Sequence, residues 1–172
     1  MNKVEDYLKQ FVIQFSGLKI GHHEYVFEIG PLFFERFKIE DVNTGEIHVD
    51  FSLIKRENML ELEFEFDGFL SSTCDRCLDP LNIPISFEND LRVKFGDEHN
   101  EENDELLVLA HEEYKIDIAP LLYEFLSLHV PLRKVHNESD CNEDVISRLH
   151  IDTEVEKDDE SPSVWDKLKN LK

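Results

Sequence analysis

Residues 60–66 read LELEFEF, and this stretch limits the possible folds more tightly than any other in the chain. Strict alternation of apolar and acidic side chains has a period of two, which a β-strand satisfies and a helix does not. One face of such a strand is apolar and has to be covered, while the other is a row of carboxylates that has to meet water. A second alternating stretch, IHVDFSLI at 47–54, lies just upstream, and KREN at 55–58 supplies a turn between the two. Ile83, Ile85 and Phe87, then Leu91, Val93 and Phe95, hold a single parity and extend the sheet. Pro80 and Pro84 put the start of that segment at an edge or at a strand beginning, because proline cannot donate to a ladder. FVIQF at 11–15 and YVFEI at 25–29 are shorter strand candidates; Gly17 and Gly21 form the turn between them, and Gly30-Pro31 the turn after the second.

Beyond an acidic stretch at 97–105, LLVLA at 106–110 is one more strand candidate, and then the period changes. In KIDIAPLLYEFLSLHVPL, Asp117 can cap a helix and Pro120 fits its first turn. Leu121, Leu122, Phe125, Leu126, Leu128 and His129 form a wide face, and Pro131 stops the helix. In SPSVWDKLKNLK, Ser161 is a cap, Pro162 follows it, and Val164, Leu168 and Leu171 make a stripe. The expected fold class is therefore α+β. It has a mainly antiparallel β-sheet or partly closed barrel in the first two-thirds, a helix at 118–129 and a short C-terminal helix. Residues 1–142 form a single domain, 143–162 an acidic and partly helical linker, and 163–172 a short amphipathic helix.

Thirteen Phe and 41% apolar residues in 172 are enough for a real core. No uncharged run of about 18 apolar residues predicts a membrane span. The polar start, MNKVEDYLKQF, does not read as a signal peptide, and three cysteines fit a reducing compartment, so a cytoplasmic location is expected. The formal charge is −21, from 18 basic and 39 acidic residues, and 97–105 and 138–160 carry −6 and −8 of it. Affinity for nucleic acid comes largely from Lys and Arg displacing counterions, so this balance disfavours direct contact with RNA or DNA. The same charge attracts basic proteins.

Cys74 and Cys77 in SSTCDRCLDPL fall in the turn between two strands, a frequent way of presenting two thiolates to one zinc ion. A closed zinc site wants four N or S ligands, and VHNESDC offers His136 and Cys141. A Cys₃His site would close the chain across the 58 residues between Cys77 and His136. Arg76 would offset its negative charge. The same residues also allow thiol–disulfide chemistry at the CxxC, or three inert thiols. A metal-dependent nuclease would need a carboxylate beside the metal, and Asp75 and Asp79 are the neighbours available. No HExxH, GxSxG, Walker-type or dinucleotide fingerprint occurs, no catalytic residue stands out, and the chain is not expected to be an enzyme. The C-terminal stripe with Trp165, flanked by Lys167, Lys169 and Lys172, suits docking into a groove through Val164, Trp165, Leu168 and Leu171; packing on its own domain is the other reading.

CDRCLDPL after an alternating strand, IDIAPLLYEFLSLHVPL, HVPLRKVHNESDC and the terminal SVWDKLKNLK occur together in an order that resembles the YceD family. The resemblance runs from about residue 60 to the C-terminus. It implies a cytoplasmic protein needed for accumulation of large-subunit ribosomal RNA, through synthesis, processing or stability. It also places Cys74, Cys77, His136 and Cys141 at the family's CxxC and later His and Cys. Taken with the charge, it implies basic partners, namely ribosomal proteins or assembly factors of the large subunit; the one structural zinc ion expected as cofactor rests on the four donor residues themselves.

Overall fold

The computed structural model describes residues 3–96 and 106–151. The chain opens with α1 (Lys3–Leu8), a single 3-10 turn (Lys9–Phe11) and the two-residue β1 (Val12–Ile13). Then come β2 (Gly21–Ile29), α2 (Pro31–Arg36), β3 (Val42–Lys55), β4 (Met59–Thr73) and β5 (Pro80–Phe95). After the acidic stretch follow β6 (Leu106–Leu109), β7 (Ile116–Asp117), α3 (Ala119–His129) and α4 (Glu143–Ile151). Strands β2 to β6 form one open five-stranded sheet in sequential order, antiparallel except for the parallel β5–β6 pair. β1 and β7 form a separate antiparallel pair. The architecture is α+β, as the alternation implies, with an open sheet in place of a barrel.

The two alternating stretches pair as a hairpin, and the turn closes on a bond from the Arg56 N–H to the Met59 carbonyl at 2.9 Å. Register sets Phe51 opposite Phe64 and Phe66 opposite Phe87, with ring centroids 4.7 and 4.4 Å apart. Such directly opposed aromatic pairs are a unit of sheet stabilisation. On the same face Ile47, Val49, Leu53, Leu60, Leu62, Ile85 and Val93 are buried. Phe11, Phe33, Ile118, Leu122 and Leu126 belong to the same core, drawn from the N-terminal turn, α2 and α3.

Several local expectations change. FVIQF yields only the two-residue β1, with a 3-10 turn on either side, although Phe11, Ile13 and Phe15 keep the alternation and are all buried. Gly30-Pro31 opens α2: Pro31 has the fixed φ a first helical turn requires, and Phe33 and Phe34 drive that turn into the core. Ile118, rather than Asp117, is the N-cap of α3, and the Asp117 carboxylate accepts the Ala119 N–H from one position further out, at 3.0 Å. Leu128 does not share the buried face of α3 and is 74% exposed. The helix α4 occupies the first nine residues of the 143–162 segment, in keeping with the partly helical character expected there.

Gly68 lies inside β4 at φ +152, and a Cβ built there would land on the Glu46 carbonyl oxygen and within 2.8 Å of Ile47 Cα. Both obstacles are backbone of the paired strand, so they cannot rotate away. Gly68→Ala is expected to cost roughly 2–3 kcal/mol, measured as a lower denaturant midpoint at unchanged m-value.

Candidate metal centre

The β4–β5 connection, residues 74–79, is a tight knuckle. The Cys74 N–H bonds the Asp79 carbonyl and the Leu78 N–H bonds the Cys74 carbonyl, both at 2.9 Å. Leu78 takes a left-handed φ of 64°, which carries its side chain outward, away from the sulfurs. The other half arrives after α3. The Asp75 N–H donates to the Lys134 carbonyl and the Lys134 N–H donates to Asp75 Oδ2, each at 2.6 Å, which sets residues 134–136 against the knuckle.

This brings Cys74, Cys77, His136 and Cys141 together, their ligand atoms all within 4.8 Å of one another. Cys74 Sγ is 3.9 Å from Cys141 Sγ, and His136 Nδ1 is 3.4 Å from Cys77 Sγ and 4.0 Å from Cys141 Sγ. A tetrahedron with Zn–S near 2.3 Å and Zn–N near 2.05 Å has S–S edges of about 3.8 Å and S–N edges of about 3.6 Å. The three separations lie within about 0.4 Å of these edges, and the four donors are close enough to hold a tetrahedral ion. His136 Nε2 lies 3.0 Å from the Pro80 carbonyl, an acceptor, so its proton belongs there and the Nδ1 lone pair faces the sulfurs. All three cysteines are buried, and Leu81, Val135, Val145 and Ile146 pack around them, the last two from α4. No other cluster of three or more His, Cys, Asp or Glu ligand atoms gathers in this way among the described residues.

The electrostatics suit thiolate ligands. Burial alone would raise the Cys74 thiol, but the backbone N–H groups of Cys77, His136 and Arg76 bring it down to about 6. The Asn142 N–H lowers Cys77 below the usual thiol range against the opposing effect of burial. Burial raises Cys141, partly offset by the Arg76 Nε–H 3.1 Å from its sulfur. The hydrogen bond with Cys77 raises the His136 imidazole above its ordinary value, against the opposing effect of burial. Asp75, a neighbour considered for activating water, spends its carboxylate on the N–H and ammonium of Lys134.

A second feature occupies the outer face of the sheet. Register aligns Asp50, Glu65 and Glu88 in one row across three strands, and Glu24, Ser52, Glu63 and Asp90 in the next. A third row holds Glu28, His48 and Asp67, and the Glu28 carboxylate 2.7 Å from His48 raises that imidazole's pKa. Apart from Glu24, the first two rows line a shallow hollow of about 590 Å³. Like charges directly opposite one another destabilise a sheet. Lys134, Asp41 and this two-dimensional array escape a linear reading, because their neighbours come from distant strands. The docking stripe of Val164, Trp165, Leu168 and Leu171, and most of the acidic linker, lie outside the described residues.

No helix among the described residues is long and apolar enough to cross a membrane. No curated protein and no solved structure matches the chain. The model of one protein family, described as Large ribosomal RNA subunit accumulation protein YceD, matches residues 62–172, a span that runs from β4 through all four candidate ligands. The chain belongs to the YceD family.

Proposed function

We propose that this protein is a non-enzymatic cytoplasmic factor that supports accumulation of large-subunit ribosomal RNA by holding basic proteins of the large subunit. In this reading one structural zinc ion is bound by Cys74, Cys77, His136 and Cys141. The observation that carries the partner class is the register-aligned carboxylate array on the open face of the sheet. It repels a phosphate backbone and attracts Lys- and Arg-rich surfaces, which ribosomal proteins present to RNA. The family description supports the link to ribosomal RNA. Four protein donors gathered among the described residues, and an Asp75 already bound to Lys134, support a closed structural site over one that activates water.

The test is binding of the purified full-length chain to individually purified large-subunit ribosomal proteins at low and high salt, with precursor ribosomal RNA as the competing probe. Association with at least one such protein, weakening steeply as salt rises, is the expected result. Tight binding to the RNA alone, with none to any ribosomal protein, would sink the proposal.

A further inference from the structure

The two halves of the ligand set are tied by contacts that need no metal. Besides the two bonds between Asp75 and Lys134, one between backbones and one from the Lys134 N–H to the Asp75 carboxylate, the Arg76 guanidinium reaches the His136 carbonyl at 3.1 Å. Lys134 is the most deeply engaged of these residues. Its side chain is 7% exposed, and its ammonium lies 3.2 Å from Asp41 Oδ2 and 3.6 Å from Asp75 Oδ1. Asp41 is fixed in turn: it sits in the left-handed region at φ 60° just before β3, and its carbonyl accepts the Ser72 hydroxyl of β4. Lys134 is two residues before His136, and Asp75 directly follows Cys74. A single ammonium thus fastens the ligand-bearing segment after α3 to the knuckle and to the start of β3.

A lysine side chain shielded from water is costly to keep unless carboxylates stay beside its ammonium, and here two do, each still partly exposed. Exposed on a surface loop, Lys134 would cost the chain nothing; it is buried, and its partners lie on the two elements that carry or flank the first ligand pair. We infer that Lys134 is a positioning residue that assembles the Cys74, Cys77, His136 and Cys141 set before any metal arrives. Only its consequence for metal affinity rests on the zinc reading proposed above.

Two readouts test this on the full-length chain. In protein stripped of metal by chelator, the alkylation rate of Cys141 is followed by mass spectrometry for the wild type, Lys134→Met and Lys134→Arg. Methionine retains the aliphatic stem and removes the charge. The expected result is alkylation faster by about tenfold or more in Lys134→Met, with Lys134→Arg restoring protection. Zinc affinity, measured by chelator competition, is expected to fall by about 10- to 100-fold in Lys134→Met, as for other residues that orient metal ligands. Asp41→Asn, which changes only the more exposed partner, should give a smaller shift in the same direction, and it decides the matter if Lys134→Met fails to fold. Equal protection of the metal-free thiols in the wild type and in the folded variants would overturn the positioning role. If the wild type binds no zinc yet Lys134→Met still unmasks Cys141, the positioning role stands and the zinc reading falls alone.

Discussion

Cys74→Ser is expected to abolish stoichiometric zinc, leaving well under one ion per chain where the wild type holds one. An ion that binds the folded chain and not the unfolded one stabilises it by about 4.1 kcal/mol when free metal is about a thousandfold above Kd. The loss in the variant should approach that figure in zinc-replete buffer and shrink toward zero in chelator, because the hydrophobic core does not depend on the site. Elemental analysis with paired denaturant titrations, with and without chelator, checks both numbers. A wild type that carries no metal and is indifferent to chelator would remove zinc from the account. The pH dependence has a definite sign. Cys74 is held at about 6, below its ordinary value of 9.0, so its thiolate contributes stability that is fully present above 9. That contribution is lost as pH falls through about 6, and metal release should set in over the same range.

The hairpin and the ligand set were readable for different reasons. Alternation in 47–54 and 60–66 dictates a one-sided strand pair whatever the rest of the chain does, and β3 and β4 follow. Cys74, Cys77, His136 and Cys141 share one chemistry, and the need for four donors made their meeting an expectation even across 58 residues. What stayed hidden is non-local and has no chemical tag. The parallel pairing of β5 with β6 leaves no mark in either segment. α2 has six residues, too few for a helical period to emerge, and its Pro31 reads equally well as a turn. Leu128 fitted an apolar face by spacing alone, yet it is exposed. Lys134 reads as one more surface charge until Asp41, 93 residues away, is placed beside it. The carboxylates were visible one strand at a time; only the register turns them into rows.

Those rows set up an experiment in which stability and binding move in opposite directions. Glu65 lies between Asp50 and Glu88, and Glu63 between Ser52 and Asp90, so each faces at least one other carboxylate across a strand pair. The double variant Glu63→Lys, Glu65→Lys replaces these repulsions with opposite-charge pairs, which favour an antiparallel sheet. Its melting temperature should therefore rise. If the face holds basic proteins, the same variant places two cations at the centre of the contact. Electrostatic steering accounts for on-rate gains of about 10- to 1,000-fold at charge-complementary surfaces. Association with whichever large-subunit ribosomal protein binds the wild type should slow by about 100-fold at low salt, and much of its salt dependence should vanish. A folded variant that melts higher and binds as fast as the wild type would show that the array is a solvated face and that the contact lies elsewhere. A variant that melts higher and binds poorly would mean that the sheet tolerates internal repulsion because its partner relieves it.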